Sequence, residues 1–311
     1  MKKRTLFVLG AAAVAGAVAL RRAGLREYLD WDLVEKPGRI IDIDGYRVHY
    51  VDQGSGPAIV LVHGFGGQTA NYAELMPLLA KDHRVIAVDL KGYGYSERDA
   101  QAGLSHTGQV AMLKQLLGKL GVARAVFVGH SMGGAVVQRF AATYPEMVQA
   151  LVLMASVAGD ERFARRLPPA FLLRPIVPVL ANLVAGRLLA ASFYDPSILT
   201  PELREEYVRP AHIKGSMEGL LAMMRESRDD PPIDAAAITM PVLLLYGAHD
   251  RAVPLSVAQH VRERIPQARL VVVDRAAHML LVERPQQCAE AIRDFLRDAA
   301  LARVESPAAF G

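Results

Sequence analysis

Gly129-His130-Ser131-Met132-Gly133 lies between an apolar run, Ala125-Val126-Phe127-Val128, and a segment from Gly134 to Tyr144 whose apolar residues recur at helical spacing. The run reads as a buried strand and the segment as a helix, so Ser131 falls on the turn that joins them. A serine on such a turn is driven into a sparsely populated backbone conformation that lifts its hydroxyl off the sheet. Gly129 and Gly133 keep the flanks free of colliding side chains. A serine hydroxyl alone is a weak nucleophile near neutral pH. A nucleophilic Ser131 therefore requires a base, an acid to orient that base, and donors for an oxyanion.

The sequence offers a candidate for each. Strand-like Val242-Leu243-Leu244-Leu245 leads into Tyr246-Gly247-Ala248-His249-Asp250, and Leu270-Val271-Val272-Val273 leads into Ala276-Ala277-His278. The order is Ser, Asp, His, and each partner follows the carboxyl end of a strand, where an open parallel sheet gathers its active site. Upstream, Ile59-Val60-Leu61-Val62 runs into His63-Gly64-Phe65-Gly66-Gly67, a loop of the type that contributes one oxyanion N–H.

With these elements in this order, the chain from about Arg39 to Leu296 resembles the α/β-hydrolase superfamily, in its serine-nucleophile branch with a helical cap, the branch of esterases and lipases. Asp89-Leu90-Lys91-Gly92-Tyr93-Gly94-Tyr95-Ser96 is similar to the D-x-x-G-x-G-x-S segment of that family, and a structural role is assigned to it. The resemblance implies an α/β fold: a mostly parallel eight-stranded sheet with helices on both faces and a helical cap inserted after strand 6. It implies Ser131, Asp250 and His278 as the catalytic residues and the backbone N–H groups of Phe65 and Met132 as the oxyanion hole. Arg251-Ala252-Val253-Pro254 continues a family-like D-x-x-x-P pattern, which favours Asp250 over its neighbour His249. Some members carry the acid after the sixth strand, so Asp160 stays open as an alternative.

The implied activity is hydrolysis of hydrophobic carboxylic esters through an acyl-enzyme. Carbon–carbon bond hydrolysis and cofactor-free perhydrolysis are alternatives on the same fold, and a noncatalytic ligand-binding protein is another. Serine at position 131 sets the chain apart from the dehalogenases and epoxide hydrolases of this architecture, which use aspartate there.

Alternation of strand-like and helical segments supports a parallel sheet from the hairpin around Asp44-Gly45 onward. The expected division is an N-terminal signal or anchor segment over residues 1–30, a core over 39–155 and 238–300, a cap over 156–237 and a loose tail over 301–311. The cap is rich in proline and in apolar residues such as Phe163, Phe171, Leu172 and Ile176, which suits a nonpolar pocket for a small hydrophobic ester.

Composition excludes several other classes. The chain has 311 residues, 52% hydrophobic and 22% charged, the balance of a globular enzyme. Its net charge of +4 sits at one end: Lys2, Lys3, Arg4, Arg21, Arg22 and Arg26 against Glu27 give +5 in residues 1–28, leaving −1 elsewhere. No basic stripe remains for nucleic acid. His49, His83, His106, His212 and His260 stand alone without metal-ligand spacing, so no metal is expected; Gly64-Phe65-Gly66-Gly67 fits neither a P-loop nor a dinucleotide fingerprint, so no cofactor is expected. His63 and His130 flank the site and read as backbone-fixing residues. The lone Cys288 reads as core. Thr5 to Leu20 is charge-free and apolar between basic flanks, which raises the expectation of membrane association through residues 5–20 and of an anchored or exported protein.

Overall fold

The chain enters its sheet through a hairpin, β1 (Arg39–Ile43) and β2 (Tyr46–Gln53), closed by Asp44 at φ 53° and Gly45 at φ 83°. Two successive positive φ values match the right-handed twist of the flanking strands, and Gly45 adopts its value without a Cβ penalty. The computed structural model describes residues 27–99, 103–157, 159, 187 and 189–305.

Six further strands follow: β3 (Ala58–Val62), β4 (Arg84–Val88), β5 (Ala125–His130), β6 (Val148–Met154), β7 (Val242–Gly247) and β8 (Arg269–Val273). They form one eight-stranded sheet in the order β1-β2-β4-β3-β5-β6-β7-β8. β2 is antiparallel to both neighbours and every other pairing from β4 to β8 is parallel. The carboxyl ends of the parallel strands therefore share one edge. Val62 pairs with Gly129, His130 with Met154, Met154 with Leu245, and Gly247 with Val273.

The described helices are α1 (Met76–Leu79), α2 (His106–Lys119), α3 (Met132–Thr143), α4 (Pro201–Val208), α5 (Ser216–Glu226), α6 (Leu255–Arg264), α7 (Leu280–Glu283) and α8 (Pro285–Glu305). β3, β5 and β7 are buried along their whole length, as strands covered on both faces must be. Alternate residues feed two cores. Val60, Val62, Phe127 and Leu153 meet α2, α3 and α6 on one face; Ile59, Leu61, Val128 and Val152 share the other with Cys288, Ile292 and Phe295 of α8. Cys288 is core, and burial pushes its thiol up to about 12.

Between β6 and β7 the described residues carry α4 and α5. Phe163, Phe171, Leu172 and Ile176, expected to line a pocket, and the alternative acid Asp160 lie outside the described residues.

The expectation of a membrane-anchored or exported protein is corrected. No helix among the described residues is long and apolar enough to cross a membrane. The 21-residue α8 has the length but carries Glu290, Arg293, Asp294, Arg297 and Asp298. The run from Thr5 to Leu20 that prompted the expectation lies outside the described residues. Its sixteen residues also fall short of the roughly twenty that a spanning helix needs.

Candidate active site

Ser131 stands between β5 and α3 with φ 52° and ψ −119°, a conformation rare for a residue with a side chain. Main-chain bonds on both sides hold it there. Its N–H donates to the Met154 carbonyl at 3.0 Å, and its own carbonyl accepts from Gly134 at 3.0 Å and Val157 at 3.3 Å. The motif glycines are required by contact: a Cβ at Gly129 would lie 2.5 Å from the Gly133 carbonyl, and one at Gly133 would lie 2.3 Å from the Val62 carbonyl.

The loop after β3 passes directly beside this turn. A Cβ on Gly64 would sit 2.9 Å from Ser131 Cβ, and Gly67 N–H closes the loop on the Gly64 carbonyl at 3.0 Å. Phe65 is thereby carried next to Ser131, its ring half exposed and edge-on to Tyr93 at 6.4 Å. Met132 is buried and begins α3, so its N–H has no intrahelical acceptor. His63 fixes the loop from below: Nδ1 donates to the Gly64 carbonyl at 2.7 Å and Nε2 accepts from Leu90 N–H at 3.1 Å. Complete burial, only partly opposed by Asp89, lowers the His63 pKa, which suits a neutral ring with one donor and one acceptor nitrogen.

Asp250 and His278 meet at the other side. His278 Nδ1 lies 2.9 Å from Asp250 Oδ2, while Asp250 Oδ1 accepts from the N–H groups of Ala252 and Val253, both at 2.8 Å. The two loops are knitted by His249 N–H to the Ala276 carbonyl at 2.9 Å and by Ala248 N–H to the Val273 carbonyl at 2.9 Å. Gly247 permits this approach, because a Cβ there would lie 2.4 Å from the Ala277 carbonyl. With Nδ1 on the carboxylate, His278 Nε2 is left without a partner among the described residues.

His130 joins the halves. Its Nε2 donates to the His278 carbonyl at 2.9 Å and its ring lies 4.8 Å from that of His278. Burial first, and the neighbouring His278 second, bring His130 down to about 3, so its ring stays neutral. Ser131 Oγ itself makes no hydrogen bond among the described residues. Sequence reading gave His130 a backbone-fixing role; it did not find Gly247 or Glu283, whose contacts are tertiary and leave no local signal.

A serine at a strained turn, an imidazole held on a carboxylate and the loop after β3 lie at one sheet edge. The family described as alpha/beta hydrolase fold matches residues 57–285. The chain belongs to that family. It is 31% identical over 274 residues to 2-hydroxymuconate semialdehyde hydrolase of Pseudomonas putida, covering 84% of this chain and 95% of the relative. Among solved structures it is similar to a meta-cleavage product hydrolase from Pseudomonas fluorescens, with TM-score 0.69 and 26% identity over 84% of this chain and 98% of that one. It is also similar to a thermophilic esterase from Thermogutta terrifontis, with TM-score 0.71 and 25% identity over 84% and 99%. The chain is a hydrolase of this fold.

Proposed function

We propose that the chain is a serine hydrolase in which Ser131 attacks a carbonyl carbon, His278 is the base, Asp250 orients and charge-balances it, and the N–H groups of Phe65 and Met132 receive the oxyanion. The observation that carries this reading is the doubly held His278: Asp250 fixes its Nδ1, and His130, adjacent to Ser131, fixes its main chain. The domain division goes with it, a core over 39–155 and 238–300 and a cap over 156–237.

For substrate, the relatives favour carbon–carbon cleavage over the ester hydrolysis first expected. A muconate semialdehyde has carboxylate, enol and aldehyde groups but no ester or amide, so its hydrolysis must break a carbon–carbon bond. On a substrate of that class, Ser131 Oγ bonds to the carbonyl carbon and its proton goes to His278. Once the enol has tautomerised to its keto form, which moves the enol proton to the carbon beside the carbonyl, the tetrahedral adduct collapses by releasing that carbon; its electron pair becomes a conjugated dienolate, whose oxygen takes the proton from His278. Water then repeats the sequence on the acyl-serine and frees the acid. Hydrolysis of hydrophobic esters is the second reading, favoured by the exposed rings of Phe65 and Tyr194 beside the two halves of the site.

A panel of a vinylogous diketone acid, p-nitrophenyl esters of increasing chain length and an amide tests both. The diketone is expected to be turned over with kcat/KM at least about tenfold above the best ester, an advantage within the range that one good set of pocket contacts supplies. Turnover of esters alone would select the second reading. Failure of a fluorophosphonate to label Ser131 in folded protein would remove the enzyme mechanism altogether.

A further inference from the structure

The residues around His278 are tied to three other parts of the chain. Ala277 N–H donates to Glu283 Oε2 at 2.8 Å, the His278 carbonyl accepts from His130, and Met279 N–H donates to the Ser192 carbonyl at 3.0 Å. Glu283 ends α7 and is 5% exposed. Its second oxygen, Oε1, accepts the N–H of Tyr194 at 2.6 Å and of Asp195 at 3.1 Å. Ser192 to Asp195 belongs to the stretch between β6 and β7, just before α4. The Tyr194 ring also lies 4.6 Å from His249, the neighbour of Asp250.

A buried carboxylate forfeits its hydration, and here three amide donors compensate it. Those donors come from two segments. One carries His278 and the other belongs to the insertion that stands between β6 and β7. Resting on the reading of His278 as the base, we propose that Glu283 is a positioning residue, whose carboxylate locks the His278 loop to Tyr194 and Asp195 so that the imidazole is aligned only while that part of the insertion is seated. Glu283 touches no reacting atom. Its effect passes through the placement of His278, so it bears on the chemical step rather than on ground-state binding. It also makes His278 responsive to anything that displaces the Ser192–Asp195 segment, including a substrate lodged against it.

The test uses the full chain, with Glu283→Ala and Glu283→Gln, and with Phe140→Leu as a destabilised control in the core against Phe127. The probe is a fluorophosphonate, and the saturation dependence of Ser131 labelling separates the maximal rate from the inhibition constant; melting temperature is measured alongside. Glu283→Ala is expected to lower the maximal rate by about 30- to 100-fold with the inhibition constant changed by less than about threefold, the cost of a base displaced by about an ångström. Glu283→Gln, which retains an acceptor for Tyr194 and Asp195 but turns a donor or a misplaced oxygen toward Ala277, is expected in between. Phe140→Leu keeps the maximal rate despite a lower melting temperature.

A Glu283→Ala protein that labels at the wild-type rate, or loses no more than Phe140→Leu, overturns the proposal. Should Glu283→Ala fail to fold, the near-isosteric Glu283→Gln decides, and a wild-type rate there is equally fatal. His278→Ala separates this from the underlying mechanism. If it labels normally, the base assignment and the proposal fall together; if it is silent while the Glu283 variants are unimpaired, the proposal alone is lost.

Discussion

Two histidine–aspartate pairs lie among the described residues, and the difference between them shows what fits such a pair for chemistry. His278 Nδ1 is 2.9 Å from Asp250 Oδ2, and His49 Nδ1 is 2.7 Å from Asp89 Oδ2. The first contacts are nearly alike; the second nitrogens are not. His49 Nε2 faces the Pro37 carbonyl at 3.1 Å, so neither ring nitrogen is left open to a substrate. Both side chains are fully buried. Asp89 also receives the N–H groups of Thr69 at 2.6 Å and Tyr95 at 2.7 Å. This pair is spent on joining β2 to the loop after β4. The His278 side chain keeps 13% exposure, and its Nε2 has no partner among the described residues.

The contrast breaks most visibly in a crossed pair of alanine variants. His278→Ala and Ser131→Ala are expected to reduce turnover on the order of 10⁶-fold, as removal of a triad nucleophile or base does, with little change in melting temperature. His49→Ala should do the reverse, lowering stability by roughly 3–5 kcal/mol through the stranded Asp89 carboxylate while turnover per folded molecule holds. Loss of turnover in folded His49→Ala would show that the two pairs are not separate.

Amide substitutions sharpen the same comparison at smaller amplitude. Asp250→Asn is expected to lower kcat by about 10⁴-fold, because it stabilises the wrong tautomer of His278. Asp160→Asn should leave it within about threefold, the behaviour of a residue outside the triad. The reverse ranking moves the acid to Asp160. Asp89→Asn should show in the urea midpoint and hardly in kcat.

What the sequence made legible was local. β5, the turn and α3 are contiguous, so an apolar run, two glycines and helical spacing suffice to place Ser131, and the order of strand-like runs placed Asp250 and His278 after β7 and β8. The structural role of the Asp89 segment was legible too, and the glycine pattern explains itself: a Cβ on Gly94 would lie 2.1 Å from the Asp89 carboxyl. His49 read as a solitary histidine because its partner is forty residues away. Glu283 carries no signal of its own, since nothing in its neighbourhood announces Tyr194 or Asp195. Hydrogen bonds that cross from one loop to another depend on where the sheet brings those loops, and no periodicity encodes them.

The smallest effect is a pH dependence, and its sign follows from the Asp89 environment. Burial by itself would raise that carboxyl, but the hydrogen bond and charge of His49, then His63 and the Tyr95 N–H, hold it below the ordinary carboxylate range. The unfolded carboxyl titrates near 3.9. Above that value Asp89 is charged in both states, and its native contacts contribute in full. As pH falls, the unfolded chain takes up the proton first, so the contribution is lost as pH drops through the lower folded value. The gap in urea midpoint between the wild type and Asp89→Asn should therefore be widest near neutrality and narrow below about pH 4. His130, held down to about 3 by burial and by His278, also withdraws stability, starting from the unfolded histidine value near 6.5. That loss is common to both proteins and cancels in the difference. A gap that stays constant down to pH 3 would mean that Asp89 carries no native charge, and its contacts would then be neutral hydrogen bonds.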